Sequence, residues 1–195
     1  MMRLLILLAL LAGGVLAQAA SPGANGFDLQ QLMQRLSQVR RSTAYFSEHK
    51  ELGMLSAPLD SSGTLAYVAP DKLQKSTLLP KPERVTVDGD KITIEQSGEH
   101  ASRTLSLADN PELGAFVESI RATLAGDLPA LQRHYKVTLD GSLDAWQMTL
   151  EPKERRLRDL VKWIRIAGRD DVIRAIDSEE ADGDRSDMTI VETGR

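Results

Sequence analysis

Gly63–Glu95 reads Gly-Thr-Leu-Ala-Tyr-Val-Ala-Pro-Asp-Lys-Leu-Gln-Lys-Ser-Thr (63–77), Leu-Leu-Pro-Lys-Pro-Glu-Arg (78–84) and Val-Thr-Val-Asp-Gly-Asp-Lys-Ile-Thr-Ile-Glu (85–95). Four segments in it, Thr64–Val68, Lys72–Leu78, Arg84–Val87 and Lys91–Glu95, alternate in polarity or are β-branched. Pro or Gly bounds each of them, the mark of short strands. Asp88-Gly89 between Val85/Val87 and Ile92/Ile94 is a hairpin signal. Strands joined in this way form an antiparallel meander. Its sheet has one apolar face that must be covered, by a core or by a ligand.

Upstream, Asp28 caps an expected helix running to about Arg41, with Leu29, Leu32, Met33, Leu36 and Val39 on one stripe. Ser42–Leu52 begins the β region, with Tyr45 and Phe46 on opposite faces. Ser56–Ser62 reads as a polar turn. Downstream, Gln96–His100 turns and Ala101–Leu107 is a further strand. Asn110-Pro111 starts a helix with Leu113, Phe116, Val117, Ile120 and Leu124 on one stripe. A shorter helix follows from Asp127, carrying Leu128 and Leu131. Strands resume at Tyr135–Leu139 and Ala145–Glu151, with Asp140-Gly141 beginning the turn between them. Lys153–Arg158 is a charged connection. Leu160–Ala167, Val172–Ser178 and Asp187–Glu192 complete the set. The expected class is α+β: a curved, unclosed antiparallel half-barrel of ten to eleven strands, with helices over its apolar face. No crossover helices alternate with the strands, which excludes a parallel α/β fold.

The chain has 195 residues, a net charge of −4 and no cysteine. Met1–Ala20 has one charge, Arg3, an apolar run at Leu4–Leu11 and a small-x-small site at Ala17-Gln18-Ala19. It reads as a cleaved secretory signal, leaving one domain over residues 21–195. The absence of cysteine excludes a lipid-anchored cysteine, disulfides and thiolate metal sites. A bacterial periplasmic location follows. No basic stripe suggests nucleic acid.

No catalytic constellation stands out. His49, His100 and His134 have no metal-ligand spacing, and there is no Gly-x-Ser-x-Gly elbow. The acidic residues Asp177, Glu179, Glu180, Asp182, Asp184 and Asp187 lack the order of a calcium loop. They read as a solvated hairpin or as a docking surface for a basic partner. The basic residues of Lys153–Arg158 read as a solvated connection or as a patch for anionic headgroups. Leu73, Lys75 and Thr77 share one strand face. If that face is the concave one, Lys75 sits at a cavity mouth as a possible headgroup contact. If the face is reversed, Lys75 is exposed to water.

Phe46-x-Glu48, Gly63-x-Leu65-x-Tyr67-x-x-Pro70, Pro82-Glu83 and Val87-Asp88-Gly89, in that order behind a leader and a first helix, resemble the periplasmic lipoprotein carriers of the LolA kind. The resemblance covers most of the mature chain. It implies a half-barrel with lid helices, no catalysis and no cofactor. It implies acyl chains of lipoproteins as ligand, an inner-membrane exporter and an outer-membrane acceptor as partners, and a monomeric carrier. The expected cavity lining is Leu36, Phe46, Leu65, Tyr67, Leu73, Phe116, Ile120, Leu124, Trp146, Met148 and Ile164. The chain departs from the family at Ala69, where the carriers place an arginine that helps hold the lid. A divergent branch carrying another lipid-like molecule, such as a glycolipid or aryl-polyene lipid, is the alternative. A lipid-sensing interaction module is a third reading, disfavoured because such regulators usually add a C-terminal domain and this chain stops where the first domain should.

Overall fold

The computed structural model describes residues 27–96 and 102–195. The leader Met1–Ala20, most of the Gln96–His100 turn and Ala101 lie outside the described residues.

Eleven strands form one antiparallel sheet. They are β1 (Arg41–Glu51), β2 (Leu59–Val68), β3 (Lys72–Leu79), β4 (Glu83–Asp88), β5 (Lys91–Gln96), β6 (Ser102–Ser106), β7 (Tyr135–Ser142), β8 (Ala145–Pro152), β9 (Val161–Arg169), β10 (Val172–Glu180) and β11 (Arg185–Gly194). Their spatial order is β6-β5-β4-β3-β2-β1-β11-β10-β9-β8-β7. Two meanders therefore meet at a β1–β11 seam, and β6 and β7 are the free edges of an open sheet. The helices are α1 (Leu29–Leu36), α2 (Pro111–Ala125), α3 (Leu128–His134) and the single turn α4 (Arg155–Arg158). The α2–α3 pair is the connection between the two edges.

The expected α+β half-barrel is the observed architecture, with several local corrections. The first helix stops at Leu36, not near Arg41. The Ser37 hydroxyl donates to the Gln34 carbonyl at 2.7 Å, and the Gln38 and Val39 amides turn back onto Arg35 and Leu36. Arg41 is thereby free to pair with Val68. The expected polar turn at 56–62 is largely strand, because Leu59–Ser62 pairs with Ser47–Lys50. Asp140-Gly141 is not the β7–β8 turn, because pairing continues through Gly141↔Trp146 to Ser142↔Ala145. Arg155–Arg158 is a helical turn whose Leu157 is buried, so the basic connection is anchored to the core.

The caps follow ordinary chemistry. Asp28 accepts the Gln31 amide at 2.8 Å and Asp127 accepts the Ala130 amide at 2.9 Å, each at a helix start. Gly126 ends α2 with φ 67°, where a Cβ would lie 2.1 Å from the Met33 carbonyl oxygen. Only glycine lets α2 end directly against α1.

Alternation along the strands puts apolar side chains on the concave face, where they form two packed groups. The larger joins β7–β10 to α1, α3, α4 and part of α2, around Leu32, Leu36, Tyr135, Trp146, Met148, Leu150, Ile164 and Ile166. The smaller joins β4 and β5 to the start of α2, through Val87, Ile92, Leu107 and Val117. Tyr45 and Phe46 part as expected, 60% and 3% exposed.

Candidate functional site

Between the two packed groups lies a central strip of the sheet. Phe46 on β1 stands opposite Ile190 on β11 and Gly63 on β2. Ala44 stands opposite Leu65, and Tyr67 opposite Leu73 on β3. Ala44, Phe46, Tyr67 and Ile190 are buried. Among the described residues, these four and Leu65 belong to neither packed group.

Helix α2 reaches from one packed group to the other. Phe116 packs on the larger group and Val117 on the smaller. Ile120 and Leu124 share the same arc of the helix by the 3.6-residue repeat. They are only half-buried and, among the described residues, belong to neither group. The helix is thus seated on both groups, through Phe116 and Val117, with Ile120 and Leu124 outside them. Its most buried residues are Val117, Ser119, Ala122 and Thr123. The two hydroxyls bond back to the Phe116 and Ser119 carbonyls at 2.6 and 2.8 Å.

The eleven residues expected to line a cavity are therefore divided. Phe46, Leu65 and Tyr67 lie on the central strip and Ile120 and Leu124 on the apolar arc of α2, all five outside both packed groups, while Leu73 packs on the smaller group and Phe116 on the larger. Leu36, Trp146, Met148 and Ile164 belong to the closed core beneath α1 and α3. Two surface hollows, of about 590 and 210 Å3, lie elsewhere over β3–β5, lined mainly by polar and charged residues such as Thr86, Asp88 and Glu95.

Lys75 takes the concave face. Its Nζ lies 2.6 Å from the Glu48 carboxylate and 4.7 Å from the centroid of the Phe46 ring. Glu48 also accepts the hydroxyls of Ser61 at 3.1 Å and Ser186 at 2.8 Å, with Lys50 Nζ at 3.4 Å. Burial alone pushes the Glu48 carboxyl up. The bond from Lys75 and its charge, the charge of Lys50 and the bond from Ser186 together hold it below the usual carboxylate value. The Glu48 side chain is 6% exposed and that of Lys75 30%. Lys75 stands opposite Leu65 and Glu48 opposite Ser61, so the ammonium reaches across Gly63.

Helix α2 is tied to the sheet by a side chain of its own, Arg121. Arg121 on α2 donates through Nε to the Asp71 carbonyl at 3.1 Å and through Nη2 to the Gly89 carbonyl. These carbonyls belong to the β2–β3 and β4–β5 turns, so one guanidinium fork holds the helix to the sheet rim.

Among the described residues the buried Tyr67 hydroxyl has no hydrogen-bond partner, and burial pushes its pKa up. Removing an unsatisfied buried hydroxyl relieves desolvation without losing a bond. Tyr67→Phe is expected to leave stability unchanged or raise it by up to about 1 kcal/mol in thermal unfolding. A loss greater than about 1 kcal/mol would mean that the hydroxyl has a partner.

The acidic residues expected to form one surface are divided. Glu179 pairs with Lys162 and Arg185, and burial followed by the charge of Asp187 pushes Asp177 up. Glu180, Asp182 and Asp184 gather at the β10–β11 turn, with Asp184 accepting the Gly53 amide. Among the described residues, no helix is long and apolar enough to cross a membrane.

Several solved structures are similar to this chain at low identity. A LolA superfamily protein from Nitrosomonas europaea is 9% identical, with a TM-score of 0.47 over 87% of this chain and 94% of that one. A chain of the Pseudomonas aeruginosa MucA/MucB complex is 13% identical, with a TM-score of 0.46 over 86% of this chain and 58% of that one. A chain in the structure of the Clostridioides difficile CwlD amidase with the GerS lipoprotein is 11% identical, with a TM-score of 0.39 over 83% and 87%. No curated protein matches. The family model described as outer membrane lipoprotein carrier protein LolA-like matches residues 19–193, nearly the whole length, and the chain belongs to that family.

Proposed function

We propose that this protein is a periplasmic carrier that takes up the acyl chains of lipoproteins. It would receive them from an inner-membrane exporter and deliver them to an outer-membrane acceptor. The observation that carries this reading is the apolar strip Ala44–Phe46–Leu65–Tyr67–Ile190, which belongs to neither packed group, together with a helix whose Ile120 and Leu124 likewise belong to neither. Each methylene moved from water onto such a surface contributes about 0.8 kcal/mol, so an acyl chain of ordinary length binds by burial alone. No catalytic step is needed for this transfer.

A carrier must open, and the Arg121 fork is the tie that opening breaks. The test is uptake of an environment-sensitive apolar probe, followed by its displacement with fatty acid or phospholipid. Wild-type protein is expected to take up the probe at micromolar concentration and to release it to lipid. Arg121→Ala is expected to load faster, because α2 loses its hold on two rim carbonyls. A folded protein that takes up no probe would rule the carrier reading out. The Glu48–Lys75 pair on the concave face favours one second reading, a carrier of another lipid with a polar head. Native mass spectrometry of protein purified from periplasm separates the two by the mass of what is bound.

A further inference from the structure

The ligand strip carries a polar device that an acyl-chain surface alone does not require. Glu48 is sealed by Lys75, Ser61 and Ser186, whereas Lys75 keeps nearly a third of its side-chain surface accessible. A ligand lying on Phe46 therefore meets the ammonium rather than the carboxylate. An ammonium has three N–H donors. One goes to Glu48 at 2.6 Å, and the Phe46 ring lies 4.7 Å from Nζ. Lys50 is a second ammonium, 3.4 Å from the same carboxylate. Lys50 also acts on the charge of Glu180, at the far end of β10. Glu83, opposite Thr77 on the neighbouring strand, accepts the Gln96 amide at 2.8 Å.

We infer that Lys75, aimed by Glu48, is the anchor for the anionic head of an amphiphile, a carboxylate or phosphate ester, whose chain lies along Phe46, Leu65 and Tyr67 under α2. This rests on the second carrier reading, of a lipid with a polar head, and names its ligand class. Glu48 is a positioning residue: it holds the ammonium over Phe46 and is itself shut off from the ligand. Lys75 lies toward the end of the strip away from the Arg121 tie. Glu48 is seven residues along β1 from its start at Arg41, about 23 Å at the strand rise. The head would enter last and leave first.

The test displaces a neutral apolar probe with lauric acid, methyl laurate, dodecyl phosphate and inorganic phosphate, each below its micellar concentration. Lauric acid and dodecyl phosphate are expected to displace it at about tenfold lower concentration than methyl laurate, the gain of one charge-assisted bond. Inorganic phosphate, which has no chain, is expected to displace nothing. Lys75→Met should bring the acid-to-ester ratio to about one while leaving methyl laurate unchanged. If that variant does not fold, the double variant Glu48→Gln with Lys75→Met removes both charges together and is read in the same way. Equal displacement by acid and ester in the wild type overturns the inference and leaves the carrier reading standing. So does an unchanged ratio in the folded variants. Displacement by inorganic phosphate alone would assign Lys75 to a free anion. If no amphiphile displaces the probe, the carrier reading falls with the inference.

Discussion

Gly63→Ala is expected to lose at least about 3 kcal/mol of stability, measured by denaturant unfolding followed in the far ultraviolet. A Cβ at this position would lie 1.9 Å from the Ser76 carbonyl oxygen and 2.9 Å from both the Ser76 carbonyl carbon and the Thr77 Cα. All three are backbone atoms, so no side-chain rotation relieves the overlap and β3 itself must move. The register between β2 and β3 already shifts here, between Ser62 and Gly63. Displacing β3 also displaces Lys75, two residues from Thr77, so the variant should lose its selectivity for anionic heads along with its stability. Gly53→Ala is the control. Its Cβ would meet only Asp184 Oδ1, at 3.5 Å, an ordinary contact. A loss of less than about 1 kcal/mol in Gly63→Ala would mean that the strands do not cross this closely.

Lys75→Ala is expected to cost about 3 kcal/mol at neutral pH, because it leaves Glu48 charged and buried with only Lys50 nearby. The pH dependence identifies the group. In the wild type the folded Glu48 pKa is depressed below 4.5. Its contribution is then present above the unfolded value and is lost as pH falls through the folded one. Without Lys75 the two largest lowering contributions are gone, so the folded pKa moves up and the stability gained from the charged carboxylate shrinks. The gap between wild type and variant should therefore be widest near neutrality and narrow on acidification. Unfolding free energies measured for both at pH 7 and pH 4 test this. A gap that does not change with pH would exclude Glu48 as its source.

The sheet was legible in the sequence because its signals are local. Alternation at Gly63-x-Leu65-x-Tyr67 and at Phe46-x-Glu48 marks residues on one strand face, and the register sets those residues side by side. Leu59–Ser62 was not legible as strand. It is polar and follows Pro58, and only its pairing with Ser47–Lys50 makes it extended. The Glu48–Lys75 contact joins positions 27 apart across an intervening strand, which no spacing rule reveals. On α2, apolar periodicity picked out Phe116, Ile120 and Leu124. The deepest positions include Ser119, Ala122 and Thr123, small residues with little weight in an apolar stripe. Arg121 on a helix reads as a solvated cation. Its role as a tie depends on two turns that folding brings beneath it.

The β1–β11 seam has a kinetic meaning. Thr43 and Gly194 meet there although 151 positions separate them. Each meander can zip from its own hairpins at low entropic cost, but joining them requires closing a loop nearly as long as the described chain. Until it closes, β1 and β11 each present a bare row of backbone donors and acceptors to any other strand. The slow and hazardous moment in the life of this molecule is thus the meeting of its first and last strands, on the floor of the strip where lipid would lie. An amphiphile that favours this meeting would act on the protein as a folding template before it acted as cargo.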